Sequence, residues 1–284
     1  MLKEYIVLAR QNGTTKTGSP YATLKVADKE EVINVAVWEL GPQQEPVVGR
    51  IVSFYSLKDN QGKKSCSAID IKNGPMPDPS HPLYNLLPRP IAREEWDETL
   101  NHLISYCTDE PLIAIMREFG QKLYKPFSEF PAATNVHHAF PGGLLNHTHQ
   151  MLKMLDGIYP ALPYAVKPER CILAILFHDY GKVYEYNRAG EALAERYLLG
   201  HVYISAHKLH TELEKKGVDV EETKRIVHCV LAHHGRLEFG SPVLPCTPEA
   251  ELVNHLDDIS AKIDNMDGTG NLEKSFALGT HVVK

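Results

Sequence analysis

The chain has 284 residues, 43% hydrophobic and 23% charged, with a formal net charge of −6. That length supports one large domain or two of ordinary size. The acidic balance argues against a broad surface that coats nucleic acid, and no apolar run approaches the roughly 20 residues of a bilayer span.

Five cysteines, Cys66, Cys107, Cys171, Cys229 and Cys246, are dispersed and never form a C-x-x-C pair. Such usage predicts buried thiols in a reducing compartment rather than a disulfide framework, and the N-terminus lacks a cleavable signal, so a cytoplasmic protein is expected. Charge and histidine are unevenly spread. Residues 1–75 carry ten Lys and Arg against eight Asp and Glu, while all fifteen histidines follow residue 80.

The first stretch holds five short β-type runs, "EYIVLAR", "YATLKVA", "EVINVAVWEL", "RIVSFYSL" and "KSCSAIDI", separated by the turn signals "QNGTTKTGSP", "ADKE", "GPQQEPVVG" and "KDNQGKK". Five strands in about 70 residues predict a five-stranded OB-like β-barrel over 1–74. Residues 75–90 follow with prolines at 75, 77, 79, 82, 88 and 90, a density that blocks helix and central strand and predicts an extended linker. From Ile91 to the end the spacing is helical, as in "REEWDETLNHLISYC", "PLIAIMREFGQKLYKPF", "GLLNHTHQMLKMLDGIY" and "PERCILAILFHDYG", so 91–284 is expected to be an all-α helical bundle. Asp219 with Glu222 reads as a capping box, and Thr247 before Pro248 as a helix start.

The chemistry concentrates in the bundle. His178 and Asp179 end an apolar helix that must be buried; His147, His201, His233, His234 and Asp257 lie on other expected helices. Imidazole and carboxylate groups converging from several helices are how a bundle builds a dinuclear metal site, and the absence of nearby cysteine argues against a thiolate zinc site. The other histidines, His102, His149, His207, His210, His228, His255 and His281, read as satisfied core or surface residues.

The order H…HD…H…HH…D resembles the HD superfamily of metal-dependent phosphohydrolases. More closely, "HHAFPGGLLNHT", "FHDYGKV", "LLGHVYIS" and "VLAHHGRLEFGSPVLPCTPEAELVNHLDDISAKID" resemble the YhaM-type 3′-to-5′ exoribonucleases, which join an OB domain to an HD domain. The likeness implies metal ligands at His147, His178, Asp179, His201, one or both of His233 and His234, and Asp257, with Lys182 facing the substrate phosphate. Two departures stand out: Tyr180 replaces the usual leucine, and the last motif reads "HLDDISAK". Counting back from Lys262 selects Asp257, whereas counting from His255 selects Asp258.

The resemblance thus implies a 3′-to-5′ exonuclease that hydrolyses single-stranded RNA, and DNA as a further candidate, to nucleoside 5′-monophosphates. Asp179 would bridge two divalent ions, Mn²⁺ by family and Fe²⁺, Mg²⁺ or Zn²⁺ by ligand chemistry. In the barrel, Tyr21, Trp38, Phe54 and Tyr55 are candidate stacking residues, with Lys16, Lys25, Lys63 and Lys64 as phosphate partners; Arg236 is a candidate strand contact in the bundle. No membrane contact is expected, and a homo-oligomer would ring one entrance with several barrels. The alternative is an HD hydrolase of a small or cyclic nucleotide whose barrel serves assembly; a non-enzymatic single-strand binder is the third reading.

Overall fold

The computed structural model describes every residue except 1, 41–45, 47, 76, 79, 88, 134–137, 139, 187–191, 267–271, 276–279 and 284. The chain divides into two compact units, one built largely on Met1–Arg89 and one on the residues from Pro90 onward.

The first unit is a seven-stranded sheet of β1 (Glu4–Thr14), β2 (Pro20–Ala27), β3 (Val32–Trp38), β4 (Ile51–Phe54), β5 (Lys58–Asn60), β6 (Lys63–Ser67) and β7 (Ile71–Asn73). The order is β5-β6-β3-β2-β1-β4-β7, antiparallel except for β3 with β6. Alternation gives it one apolar face. Ala22, Leu24 and Val26 on β2 meet Val35 and Val37 on β3 in a core shared with Val7, Val52, Phe54 and Cys66. The result is an open half-barrel of OB-like form rather than a closed five-stranded barrel.

Two strands more than expected form here, for local reasons. "KDNQGKK" is not all turn, because Gln61 and Gly62 both take positive φ (53° and 82°), the two-residue geometry that closes a tight hairpin between β5 and β6. The run "KSCSAIDI" is broken by a 3-10 turn at Ala68–Asp70, so its halves join different neighbours, β3 and β4.

The proline-rich segment is anchored rather than free. Leu83 is buried against Ile6 and Ala27, a 3-10 turn spans Tyr84–Leu86, and the Arg89 guanidinium lies 3.2 Å from the Tyr84 ring centroid. Pro79 and Pro88 lie outside the described residues.

The second unit contains α1 (Arg93–Ile104), α2 (Glu110–Phe127), α3 (Gly143–Ile158), α4 (Pro168–Phe177), α5 (Lys182–Glu185), α6 (Ala194–Leu198), α7 (His201–Lys215), α8 (Val220–Leu231) and α9 (Pro248–Met266). Helix α4 is its axis: all ten residues are buried, and α2, α3, α7, α8 and α9 pack around it. Asp109, Asp219 and Thr247 cap α2, α8 and α9 through side-chain oxygens.

The expected capping box at α8 is only half made. Asp219 accepts from the amides of Glu221 and Glu222, but the Glu222 carboxylate is taken by Arg170 of α4 at 2.6 and 2.8 Å, a stronger charged pair. The bundle is also not purely helical. A hairpin of β8 (Leu272–Ser275) and β9 (Thr280–Val283) follows α9, the latter strand carrying a β-branched "VV". Among the described residues no helix is long and apolar enough to cross a membrane.

Candidate metal centre

His178 caps the C-terminal end of α4, and Asp179 begins the tight turn that leads into α5. The glycine after them is a matter of space. A Cβ on Gly181 would overlap the backbone of His201, and the Gly181 amide donates to Ser205 Oγ of α7 at 2.8 Å. Close backbone approach therefore brings the α4–α5 turn beside the first residue of α7. His147 projects from α3, Asp257 from α9, and His233 and His234 follow the end of α8.

These side chains form two groups of three, each with ligand atoms within 4.8 Å of one another: His147, His178 and Asp257, and His201, His233 and His234. In the first, His147 Nε2 lies 3.2 Å from His178 Nε2 and 3.1 Å from Asp257 Oδ1. In the second, the Nε2 atoms of His201 and His234 are 3.3 Å apart.

Asp179 stands between them. Its Oδ2 is 3.3 Å from His178 Nε2 and 3.9 Å from His147 Nε2, whereas Oδ1 is 3.6 Å from His201 Nε2 and 4.0 Å from His233 Nε2. Lys182 Nζ donates to Oδ2 at 2.6 Å.

Hydrogen bonds behind the rings decide which nitrogen faces inward. The Nδ1 atoms of His178 and His233 donate to the carbonyls of Ile175 (2.8 Å) and Val230 (2.6 Å), one turn back on their own helices. His201 Nδ1 donates to the buried Glu185 carboxylate at 3.2 Å. Ser260 Oγ donates to Gln150, so His147 Nδ1 donates to Ser260 at 2.9 Å. In its neutral form each ring consequently turns an Nε2 lone pair toward the centre, as a metal ligand must.

Electrostatics favour a cation there. Burial opposes ionisation of Asp179, but Lys182, His178 and His201 hold its carboxyl well below the usual range. Burial likewise opposes Asp257, and His147, His178 and His233 outweigh it. Burial also works against charging His178, yet Asp179 and Asp257 raise its pKa. His233 is held well below the ordinary imidazole value by burial and by the neighbouring His234 and His178. Among the described residues, Asp179 Oδ1 and His233 Nε2 are buried without any hydrogen-bond partner, a costly state that a coordinated ion relieves. The donor set therefore fits oxygen- and nitrogen-seeking divalent metals.

Beside the cluster opens a cleft of about 180 Å³, lined by Asp179, Lys182, His233, His234, Asp257 and also Phe239, Asn254, Asp258 and Ala261. Asp258 pairs with Lys262 at 2.6 Å and is absent from both three-residue groups, so the geometry places Asp257, not Asp258, at the cluster. Arg236 is exposed and sits by Glu238 at 3.4 Å.

In the N-terminal sheet, Tyr21 and Trp38 are cross-strand partners with ring centroids 5.0 Å apart, and Trp38 is exposed. Lys16, Lys25, Lys63 and Tyr55 are exposed as well. Phe54 is not available for stacking: it is buried in the core against Tyr5. Lys64 lies on the Cys66 side of β6, opposite to Lys63, with its ammonium 3.8 Å from Glu31.

The histidines read as bland have other work. His149 meets Thr99 at 3.0 Å, His228 accepts from the Cys246 amide at 3.0 Å, and His102, His210 and His255 pair with Asp156, Glu214 and Glu251. His207 stacks on Tyr203, and the side chain of His281 lies outside the described residues. Residues missed by sequence reasoning are Glu185, Ser260, Phe239, Asn254 and His138, whose buried ring lies 5.4 Å from that of His147. Ser260 carried a signal, three residues from Asp257 on one helical face, and His138, Phe239 and Asn254 lie within the motifs that carry the family resemblance.

The cluster residues fall within likenesses to known proteins. The HD domain matches residues 144–262, which span the cluster and imply a divalent metal requirement. The chain is 30% identical over 263 residues to the 3′-5′ exoribonuclease YhaM of Geobacillus sp. (strain WCH70), covering 90% of this chain and 80% of that one. It is 28% identical to proteins of the same name from Bacillus velezensis, covering 93% and 85%, and from Bacillus subtilis (strain 168), covering 92% and 85%. No solved structure matches the chain.

Proposed function

The chain belongs to the family of YhaM 3′-5′ exoribonucleases, and from that membership we propose that it removes nucleotides one at a time from the 3′ end of single-stranded RNA, with DNA strands as a further substrate. The observation that carries the reading is the placement of Asp179, one oxygen toward each group of three candidate ligands. His147, His178 and Asp257 would hold one divalent ion and His201, His233 and His234 a second, with Asp179 shared. Two such ions, Mn²⁺ foremost, would supply a lowered water pKa and neutralisation of the phosphoryl oxygens.

The chain's own groups do the rest. Lys182 donates to Asp179 Oδ2 and can shift to a non-bridging oxygen of the terminal phosphodiester, stabilising charge as it grows. Glu185 and Ser260 keep His201 and His147 from turning. Burial of the Asp179 and Glu185 carboxylates keeps water from loosening these contacts. Hydrolysis would leave the 3′-oxygen on the preceding nucleotide and release a nucleoside 5′-monophosphate.

Tyr21, Trp38 and Lys63 on the N-terminal sheet would hold the upstream strand by stacking and by a phosphate contact. The test is incubation of 5′-labelled RNA and DNA strands with each divalent ion. A ladder of shortened products with Mn²⁺ is expected; strands that stay full length under every ion, while a cyclic or free nucleotide is consumed, would refute the proposal.

A further inference from the structure

Phe239 is out of place for a large apolar side chain. It lines the cleft at the metal cluster yet remains 63% exposed, and no aromatic ring among the described residues packs on it. The Arg236 guanidinium approaches to 5.6 Å from the ring centroid. Single exposed apolar residues are ordinary on protein surfaces. This one differs in being held at the cleft by a rigid segment.

The segment from Gly235 to Ser241 is bracketed by two glycines of positive φ, 73° at Gly235 and 88° at Gly240. A Cβ at Gly235 would overlap Asn254, whose Nδ2 donates to the His233 carbonyl at 2.7 Å and ties α9 to the end of α8. The loop closes on itself through the Ser241 amide and the Arg236 carbonyl at 3.1 Å. The buried Ser241 hydroxyl then faces the carbonyls of Leu231 (3.1 Å) and Val243 (2.7 Å). A loop so fixed places Phe239 at the cleft, where its exposed ring lies beside the groups proposed to bind the phosphate.

We propose that Phe239 is the platform on which the base of the 3′-terminal nucleotide stacks, making the lip of the cleft a nucleobase subsite. A flat apolar face open to water beside a phosphodiester site suits a planar base, and stacking accepts any of the four. The proposal rests on the exonuclease reading for the identity of the strand. Asp179 and Lys182 define where the phosphate lies, and Phe239 where the attached nucleoside lies.

The experiment compares ligands that differ only by a base. Binding of adenosine 5′-monophosphate and of ribose 5-phosphate to the Mn²⁺-loaded protein is measured alongside release of an ordinary and an abasic 3′-terminal residue from RNA. The unaltered protein is expected to favour the base-bearing ligand roughly tenfold or more in both assays, in keeping with the strength of base–aromatic stacking. Phe239→Ala should erase that preference, leaving ribose 5-phosphate binding unchanged, and Phe239→Trp should retain it. Equal binding of the two ligands by the unaltered protein, or a preference that survives Phe239→Ala, would overturn the subsite. A protein that shortens no strand yet shows the base-dependent binding would lose the exonuclease reading and keep the subsite.

Discussion

Gly181 shows how much of the centre rests on single atoms. The overlap that a Cβ would make is with the His201 backbone, which cannot swing aside as a flexible side chain could. Overpacking of this kind costs about 1–3 kcal/mol in stability, and a displacement near 1 Å costs roughly 100-fold in rate. Gly181→Ala should therefore fold, melt slightly lower and lose about two orders of magnitude in turnover, read by thermal unfolding and product release. Ser260 acts one step further out, fixing the His147 tautomer. Ser260→Ala should weaken Mn²⁺ binding by about 10- to 100-fold in a calorimetric titration, with the fold unaffected. The candidate ligands were legible as residue types, because several His and Asp spread over apolar helices are the donors a metal site in a bundle needs. Phe239 and Glu185 were not, since an exposed ring or a buried carboxylate looks ordinary until its neighbours are known.

Helices α4, α8 and α9 are joined by Arg170, which pairs with Glu222 at 2.6 Å and with the buried Glu249 at 3.0 Å. Arg170→Ala would leave Glu249 buried without its cation, and removing one member of a buried pair costs about 3–5 kcal/mol. Chemical denaturation should show a loss of that order. The pH dependence follows from Glu222, whose pKa is lowered from 4.5 chiefly by its hydrogen bonds to Arg170. A depressed folded-state pKa means the unfolded chain binds more protons at mildly acid pH, so this stabilisation is present above 4.5 and lost as pH falls below it. Glu222→Gln should accordingly lower the melting temperature at neutral pH, with a deficit that narrows as pH falls below about 4.5. At this scale the sequence showed the helices through their 3.6-residue period. It misjudged the Asp219–Glu222 motif, because a capping box and an interhelical pair draw on the same glutamate. The hairpin at β5–β6 was hidden likewise, since positive φ at Gln61 cannot be read from glutamine.

The whole molecule combines an OB-like sheet bearing a Tyr21–Trp38 pair, Trp38 exposed and Tyr21 half-buried, with a helical unit bearing the His and Asp cluster that could hold a metal. If the sheet holds the strand, Trp38→Ala should weaken binding of a long oligoribonucleotide by about 10- to 100-fold while leaving adenosine 5′-monophosphate binding unchanged. Fluorescence titration with both ligands checks this. By itself the sequence determined the two-part composition, the helical and β-rich regions, the set of histidines and aspartates that could take a metal, and the family resemblance. These follow from local periodicity and residue chemistry, which need no knowledge of distant neighbours. Only the tertiary structure decided that Asp257 rather than Asp258 reaches the cluster, that Phe54 belongs to the core, that Lys63 and Lys64 part to opposite faces, and that Asp179 turns one oxygen to each group of three. Each of those depends on which helix or strand face meets which neighbour, and packing across the chain sets that, with residues as far apart in sequence as His147 and Ser260 meeting at 2.9 Å.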